Sequence, residues 1–314
     1  MVAVNKVKTD IFVPIADQLI TNMIVQYLNT ATHIKKSTLG VYQRHIESHI
    51  TPYFEDMCCH QLNKGILQGF ITNKLAGLSP TTIRSIFYLI KNALKGQVSL
   101  DVFVVEFPND SNADEIESFS INEQKSLELS AKASDNINYV GITLCLYTGI
   151  RIGELCGLLW KDVDFENQSI HIRRTIQRIK SAKSDSKTEI TSLEYHGDTP
   201  ERIIPLPQFI LSLLEEHQSN SDNDYIISGS DKPIEPRNMQ YRFKRLLKNA
   251  NVSPRGFNAT RHTFAIRALE NGFDIKTLSE ILGHASPLVT LARYSHVLSE
   301  SKRSSMESLV PLHW

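Results

Sequence analysis

Cysteine is scarce in this chain of 314 residues, which has four: Cys58, Cys59, Cys145 and Cys156. They have no Cys-x-x-Cys spacing and outline no disulfide framework, so we expect reduced thiols in an intracellular protein. An apolar run long enough to cross a membrane is also lacking, and the first ten residues alternate apolar side chains with Lys6 and Lys8. The sequence therefore predicts a cytoplasmic protein with neither a signal peptide nor a membrane partner.

Net charge is also lacking, because 34 basic side chains balance 34 acidic ones. If the charged residues were spread evenly, this balance would argue against nucleic acid as a partner, but the basic and acidic residues are segregated along the chain. Residues 1–100 hold ten basic and five acidic side chains, 106–117 hold five acidic and no basic ones, and 236–261 hold seven basic and no acidic ones. A single run of this kind is usually a solvated face. Phosphate contacts need local rather than global positive charge, so the sequence keeps nucleic acid open as a partner.

The length and the apolar content of 41% suit two domains. Residues 11–98 have a helical pattern, which is clearest where Ser79 and Pro80 form an N-cap and a proline start for a helix that ends at Gly96. Residues 99–118 are rich in turn-forming side chains and are predicted to be a linker. A capping box of Ser120 and Glu123 opens the second domain, predicted over 119–300.

The second domain is predicted to be mainly helical with a small β-sheet or hairpin. Helical periodicity through Tyr139–Leu158 places Arg151 at a helix start, just after Gly149. Between about 164 and 207 the character changes to β-strands around a polar turn near 181–186. Helices then follow, with a further helix and a C-terminal tail, 301–314, at the end; the predicted spans are about 207–217, 236–250, 258–271, 274–282, 287–297 and 299–309.

The histidines give no sign of a metal site. His45 and His49 lie one helical turn apart, but no nearby cysteine or third ligand completes a set. We interpret them as surface histidines and predict neither a metal nor a cofactor.

Four separated motifs carry chemistry that fits one phosphate. They are Thr148-Gly149-Ile150-Arg151-Ile152-Gly153-Glu154-Leu155, Asn258-Ala259-Thr260-Arg261-His262, Leu282-Gly283-His284 and Leu291-Ala292-Arg293-Tyr294. Their order and spacing resemble those of the tyrosine recombinase (phage integrase) family, and the likeness covers much of the C-terminal two thirds.

The resemblance implies a role for each residue. Arg151 and Arg261 would grip the scissile phosphodiester, His284 would hydrogen-bond it, and Tyr294, ten residues later, would attack it. Arginine suits this task because its planar fork of donors fits phosphate oxygens and stays charged. A tyrosyl–phosphate link retains the energy of the broken bond, so no ATP is needed. Glu154 is expected to orient Arg151 rather than to react.

The chain departs from the family pattern at two positions. The family usually has histidine three residues before the second arginine, where this sequence has Asn258, and an amide can bond a phosphate oxygen but cannot carry a proton. The family also uses a hairpin lysine as general acid shortly before a string like Arg202–Pro207. The matching position here is close to His196, which can donate a proton near neutral pH, and Lys187 and Lys183 are the alternatives.

The resemblance further implies a helical core-binding domain that clamps double-stranded DNA against a mixed α+β catalytic domain. Arg84, Lys91 and Lys95 share one helical face, as expected along a DNA groove, although an ordinary amphipathic surface helix has the same pattern. Arg242, Lys244 and Arg245 are the second DNA-binding candidates. Self-association on DNA as a tetrameric synapse is expected, with the tail exchanged between subunits.

Three functions fit these observations. The first is a site-specific recombinase or integrase that cuts and rejoins DNA through a 3′-phosphotyrosyl intermediate. The second is a type IB topoisomerase-like DNA relaxer, and the third is a DNA-binding regulator whose catalysis has decayed. The Arg-His-Thr-Phe and Leu-Gly-His strings favour the recombinase, and the presence of Tyr294 counts against the regulator.

Overall fold

The computed structural model describes residues 17–32, 34, 36–107, 116–180, 188–194, 201–220 and 223–300. The chain divides into two units, Met1–Ala113 and Asp114–Trp314, which are described separately below. In the part that is described, no helix is both long enough and apolar enough to cross a bilayer.

The described part of the first unit is helical, as predicted. Its α-helices are α1 (Ile20–Thr30), α2 (Lys36–His45), α3 (Thr51–Phe54), α4 (Lys64–Gly69) and α5 (Pro80–Leu94). Two π-helical turns, Ile46–Ile50 and Phe70–Lys74, follow α2 and α4, and a 3-10 turn spans Cys59–Gln61. The core contains the edge-to-face pair Phe54–Phe70, whose ring centroids are 4.8 Å apart.

Helix α5 begins and ends where the sequence predicts. The Ser79 hydroxyl accepts a hydrogen bond from the Thr82 backbone N–H, Pro80 takes the first helical position, and Gly96 has a φ of +84° just beyond the last turn. Its buried stripe is Ile83, Ile86, Phe87, Leu89, Ile90, Ala93 and Leu94. Burying this stripe anchors α5 in the core of the first unit.

Part of the predicted linker 99–118 belongs to the first unit. Leu100–Phe103 forms a 3-10 turn in which Val102 and Phe103 are buried. The Gln68 side chain also donates to the Glu106 carbonyl and accepts from its N–H. These apolar residues precede the turn-forming residues 108–112 that indicated a linker, which lie outside the described residues.

The described part of the second unit is mainly helical. Its helices are α6 (Ile121–Ser134), α7 (Asn136–Thr148), α8 (Ile152–Cys156), α9 (Gln208–Gln218), α10 (Pro236–Asn249), α11 (Asn258–Glu270), α12 (Ile275–Leu282) and α13 (Pro287–Glu300). The capping box predicted for α6 is present, because Ser120 accepts from the Glu123 N–H and the Glu123 carboxylate accepts from the Ser120 N–H. The helix predicted over 299–309 lies mostly outside the described residues.

The periodic run Tyr139–Leu158 is divided between the two helices α7 and α8. Gly149 ends α7 in the left-handed conformation, with a φ of +64°, and Arg151 is the extended N-cap residue of α8. Glycine adopts this conformation without the steric cost of a Cβ, so the chain turns here. The break places Arg151 at a helix start, as the sequence predicts.

The strands form two small antiparallel sheets. Strands β1 (Val163–Asp164), β2 (Ser169–Ile172) and β5 (Arg202–Pro205) lie in the order β1-β2-β5. Strands β3 (Arg174–Lys180) and β4 (Thr188–Glu194) form a hairpin in which Arg174 pairs with Glu194 and Lys180 with Thr188. The fold is therefore mainly α with a small sheet and a hairpin, as expected.

Helix α7 is the centre of the second unit's core. It is buried along most of its length and packs against α6, α9 and α11. A smaller apolar cluster joins α11, α12 and α13 through Phe264, Leu278, Leu282, Tyr294 and Val297. The two clusters fix the C-terminal ends of α7 and α12, and these ends carry the candidate site.

Candidate active site

A buried carboxylate organises the candidate site. Glu154 on α8 is fully buried, and its Oε1 lies 2.9 Å from Arg151 Nη1. Arg202 on β5 reaches the same carboxylate, with its Nη1 3.0 Å from Oε1 and its Nη2 2.8 Å from Oε2. Burial alone raises the pKa of Glu154, but Arg202 and then Arg151 outweigh burial and lower this pKa to about 2. Glu154 is thus ionised and bonded to two arginines, one of which is Arg151, as expected of a residue that orients it.

Main-chain carbonyl groups hold the arginines from the other side. Arg151 Nη2 donates to the Gly283 carbonyl at 3.1 Å, and Arg202 Nε donates to the Ile281 carbonyl at 2.6 Å. Helix C-termini leave their last carbonyl groups without helical partners and have partial negative charge, so they attract guanidinium groups. The end of α12 therefore draws both arginines to one place.

Arg261 on α11 reaches the same place from the core. Its Nη1 donates to the Gly149 carbonyl and its Nη2 to the Leu282 carbonyl, both at 2.6 Å. Arg151 and Arg261 are hence bonded to the consecutive residues Gly283 and Leu282, which brings together two side chains 110 positions apart in the sequence. Arg261 is 6% exposed, whereas the Arg151 side chain is 37% exposed.

Positive charge dominates this cluster. Burial, followed by repulsion from Arg151, lowers the pKa of Arg261 to about 9, so it is still charged at neutral pH. His284 has its pKa lowered to about 4 by burial and by the charges of four arginines, Arg261, Arg151, Arg293 and Arg202. Four guanidinium groups act on His284, and the Glu154 carboxylate is bonded to two of them, so these described groups have an excess of positive charge, which suits an anionic ligand.

His284 follows the turn that ends α12. Gly283 takes the left-handed conformation, with a φ of +63°, and a Cβ there would lie 2.9 Å from Arg202 Nη1. His284 Nδ1 lies 2.7 Å from the hydroxyl oxygen of the buried Thr290 on α13. Glycine thus admits the arginine, and Thr290 fixes the orientation of the imidazole ring.

Tyr294 lies inside the smaller apolar cluster that joins α11, α12 and α13. Its side chain is fully buried, and its hydroxyl oxygen is 2.8 Å from His262 Nδ1 on α11. Its backbone leaves the helical conformation, with φ −117° and ψ 16°, so α13 is kinked there. Burial raises the pKa of Tyr294, and Arg261 and Arg293 partly oppose this rise. The phenol is consequently protonated at neutral pH and bonded to a histidine.

The structure describes one of the four remaining predicted site residues. Asn258 is the exposed first residue of α11. His196, Lys187 and Lys183 lie outside the described residues. The roles of these four residues stay predictions.

The basic residues predicted to bind DNA lie on two helices. On α5, the Arg84 guanidinium lies 5.7 Å from the Phe107 ring centroid and Lys91 Nζ lies 5.9 Å from that of Phe87, and Lys95, the residue after the end of α5, is exposed. On α10, Lys244 and Arg245 are exposed and Arg242 is half-buried. The apolar face of α10 packs into the core, so most of its cations face solvent.

Arg202 and His262 are site residues that sequence reasoning did not assign. Arg202 stands in the string Arg202–Pro207 and His262 in the motif Asn258–His262. The partner of Arg202, Glu154, is 48 positions away, and the partner of His262, Tyr294, is 32 positions away. One available signal is that the sequence around Glu154 is otherwise apolar from Ile152 to Leu158, which predicts a buried carboxylate that needs a cationic partner.

Among the described residues, no three or more His, Cys, Asp or Glu side chains are placed to hold a metal ion. The candidate site instead consists of guanidinium groups, the carboxylate of Glu154, two imidazoles and a phenol.

Sequence comparison finds recombinases among the similar proteins. Residues 112–301 match the Phage integrase family. A tyrosine recombinase XerC-like protein of Caldanaerobacter subterraneus subsp. tengcongensis is 29% identical over 240 residues, which cover 71% of this chain and 60% of that protein. The tyrosine recombinase XerA of Thermococcus onnurineus is 33% identical over 176 residues, or 53% of each chain. The chain thus spans a little over half the length of these curated relatives.

Solved structures share the fold. The integrase of transposon Tn1549 in complex with transposon right end DNA has a TM-score of 0.79 at 21% identity, covering 93% of this chain and 99% of that one. A lambda integrase tetramer bound to a Holliday junction has a TM-score of 0.63 at 17% identity, covering 86% and 75%.

Proposed function

The chain belongs to the phage integrase family, and on this premise we propose that it is a site-specific DNA recombinase that cuts and rejoins strands through a 3′-phosphotyrosyl intermediate. Tyr294 is the nucleophile in this proposal. Arg151, Arg261 and His284 bind the scissile phosphate. Its substrate is double-stranded DNA.

The convergence of Arg151 and Arg261 on consecutive carbonyl groups is the observation that carries the proposal. The two guanidinium groups are held in advance by Gly149, Leu282 and Gly283, so they need no rearrangement when charge develops on a phosphate. Donors fixed before the reaction are worth on the order of 3–4 kcal/mol each in such sites. This geometry supports stabilisation of a transition state in which the phosphorus is pentacoordinate and its oxygens have extra negative charge.

Assembly on DNA is part of the same proposal. Relatives of the same fold include an integrase bound to transposon end DNA and an integrase tetramer bound to a Holliday junction. By analogy, four copies would hold two duplexes, which separates a recombinase from a monomeric type IB relaxer. Relaxation of a supercoiled plasmid without an integration or excision product would favour the relaxer.

Covalent trapping on a nicked suicide duplex tests the nucleophile. We expect a single adduct on Tyr294, through a 3′ phosphate, that forms without added metal and is mapped by mass spectrometry. Tyr294→Phe should bind the duplex with unchanged affinity and form no adduct, because the hydroxyl alone is lost. An adduct on another residue, or cleavage that a chelator stops, would contradict the proposal.

The general acid is tested with a modified leaving group. If His196 protonates the 5′ oxygen, His196→Ala slows cleavage by roughly 10²–10⁴-fold. A substrate with a bridging 5′ sulfur should restore much of this rate, because a thiolate leaves without a proton. Lys187→Ala is the matched control and should do neither. The opposite pattern, with loss and rescue at Lys187 or Lys183, would assign the acid to the hairpin lysines.

A further inference from the structure

The proposed reaction needs a group that takes the proton from Tyr294. Asn258 occupies the position where the family usually has a histidine, and an amide cannot accept this proton. His284 Nδ1 is already bonded to Thr290. The tyrosine proton therefore needs another acceptor.

His262 is in direct contact with the reacting oxygen. Its Nδ1 lies 2.8 Å from the Tyr294 hydroxyl, within the distance expected of a general base. The rings are tilted by 58° with centroids 5.9 Å apart. Tyr294 is fully buried and His262 half-buried, so the pair lies largely out of bulk water.

We propose that His262 is the general base for Tyr294. This inference rests on the proposed function. In the tautomer with hydrogen on Nε2, the phenol O–H donates to Nδ1. As the phenol oxygen forms its bond to phosphorus, its O–H bond breaks and the proton passes to Nδ1 of His262. The bond from phosphorus to the 5′ oxygen then breaks, and the general acid protonates that oxygen. The reverse step returns the proton to Tyr294 when the strand is rejoined.

The charges around His262 link its basicity to the binding of DNA. Burial, with the charges of Arg293 on α13 and Arg261 on α11, lowers the pKa of His262 to about 4, and Glu117 opposes this effect. The imidazole is therefore neutral at neutral pH and able to accept a proton. A phosphate bound by the arginines would offset their charge and raise the basicity of His262, which couples proton transfer to substrate binding.

The test compares two substitutions in the full-length protein on a suicide duplex. His262→Asn places an amide oxygen near the position of Nδ1 and keeps a hydrogen bond, but it cannot take a proton. His262→Ala removes both. We expect both variants to bind DNA as the wild type does and to cleave roughly 10²–10⁴-fold more slowly.

Replacing Tyr294 with a fluorinated tyrosine that ionises near neutral pH provides the decisive measurement. The defect of both His262 variants should shrink by about tenfold or more, because a phenol already ionised needs no base. An Arg151→Lys variant is the matched control, and its defect should not shrink, because its phosphate binding is impaired.

Four results would overturn the inference. Cleavage at the wild-type rate by His262→Asn would leave His262 only a positioning role, and faster cleavage by His262→Ala would make the contact with Tyr294 a restraint. The third result is a cleavage defect that fluorotyrosine does not reduce, and the fourth is loss of DNA binding by both variants. Absence of any Tyr294 adduct in the wild type is a different failure, because it removes the proposed function itself.

Discussion

Glu154 shows how much one side chain contributes to the candidate site. It is fully buried and bonded to Arg151 and Arg202, so its neutral replacement leaves two cations without their counter-charge. We expect Glu154→Gln to lower the free energy of unfolding by about 3–5 kcal/mol, as measured by urea denaturation. Glu270→Gln, in an exposed pair with Arg267, is the control and should change it by less than about 0.5 kcal/mol.

The same residue predicts a pH dependence. Its folded pKa of about 2 lies below the ordinary value of 4.5, so the unfolded state binds this proton more readily. The stabilisation from Glu154 is therefore complete above about pH 4.5 and is lost as the pH falls toward 2. This acid-induced loss of stability should be absent from Glu154→Gln. An equal loss in the variant and the wild type would contradict its assignment to Glu154.

Motif order is enough to predict which of several distant side chains lie close together. Arg151, Arg261, His284 and Tyr294 stand in recognisable strings, and the structure brings the first three around the end of α12. The contacts of Arg202 and His262 depend on how β5, α11 and α13 pack, which no local pattern encodes. The hydrogen bond between His262 and Tyr294 accompanies the kink in α13.

Helices and turns are predicted most reliably where a cap determines them. Ser79, Ser120 and Ser286 each accept from a backbone N–H at the predicted helix start, because these contacts involve residues two or three positions apart. The π-helical turns at Ile46–Ile50 and Phe70–Lys74 were not predicted. An extra residue in a helical turn is stabilised by tertiary packing, so its position is not visible in periodicity.

The turn at Gly149 gives a prediction for the junction of α7 and α8. A Cβ there would lie 2.5 Å from Phe264 Cδ1 and 2.8 Å from Leu282 Cδ2, in a left-handed backbone. We expect Gly149→Ala to lower the free energy of unfolding by about 2–5 kcal/mol, from backbone strain and overpacking together. Gly272 has a φ of +84° but no atom within 4 Å of an added Cβ, so Gly272→Ala should cost about 1–2 kcal/mol. Equal costs would show that packing contributes nothing at Gly149.

For the whole molecule, a net charge of zero hides a strongly uneven distribution. The stretch 236–261 has seven basic residues and no acidic ones, and α10 exposes Lys244 and Arg245 from it. We expect DNA affinity to fall steeply with salt. Lys244→Ala and Arg245→Ala should each reduce the log–log slope by about 0.9 for every phosphate that the protein no longer neutralises. Lys125→Ala on α6, a lysine outside this stretch, should leave the slope unchanged, and an unchanged slope in all three would exclude α10 from the DNA surface.

The carbonyl groups that hold the arginines have a consequence for mutational tolerance. Every residue type has a main-chain carbonyl, so replacing the side chain of Ile281 or Leu282 leaves the acceptors of Arg202 and Arg261 in place. Only the path of the backbone at the end of α12 must be preserved. Sequences that differ at most positions around these arginines can therefore build the same cradle, provided that the glycine turn and the buried carboxylate remain.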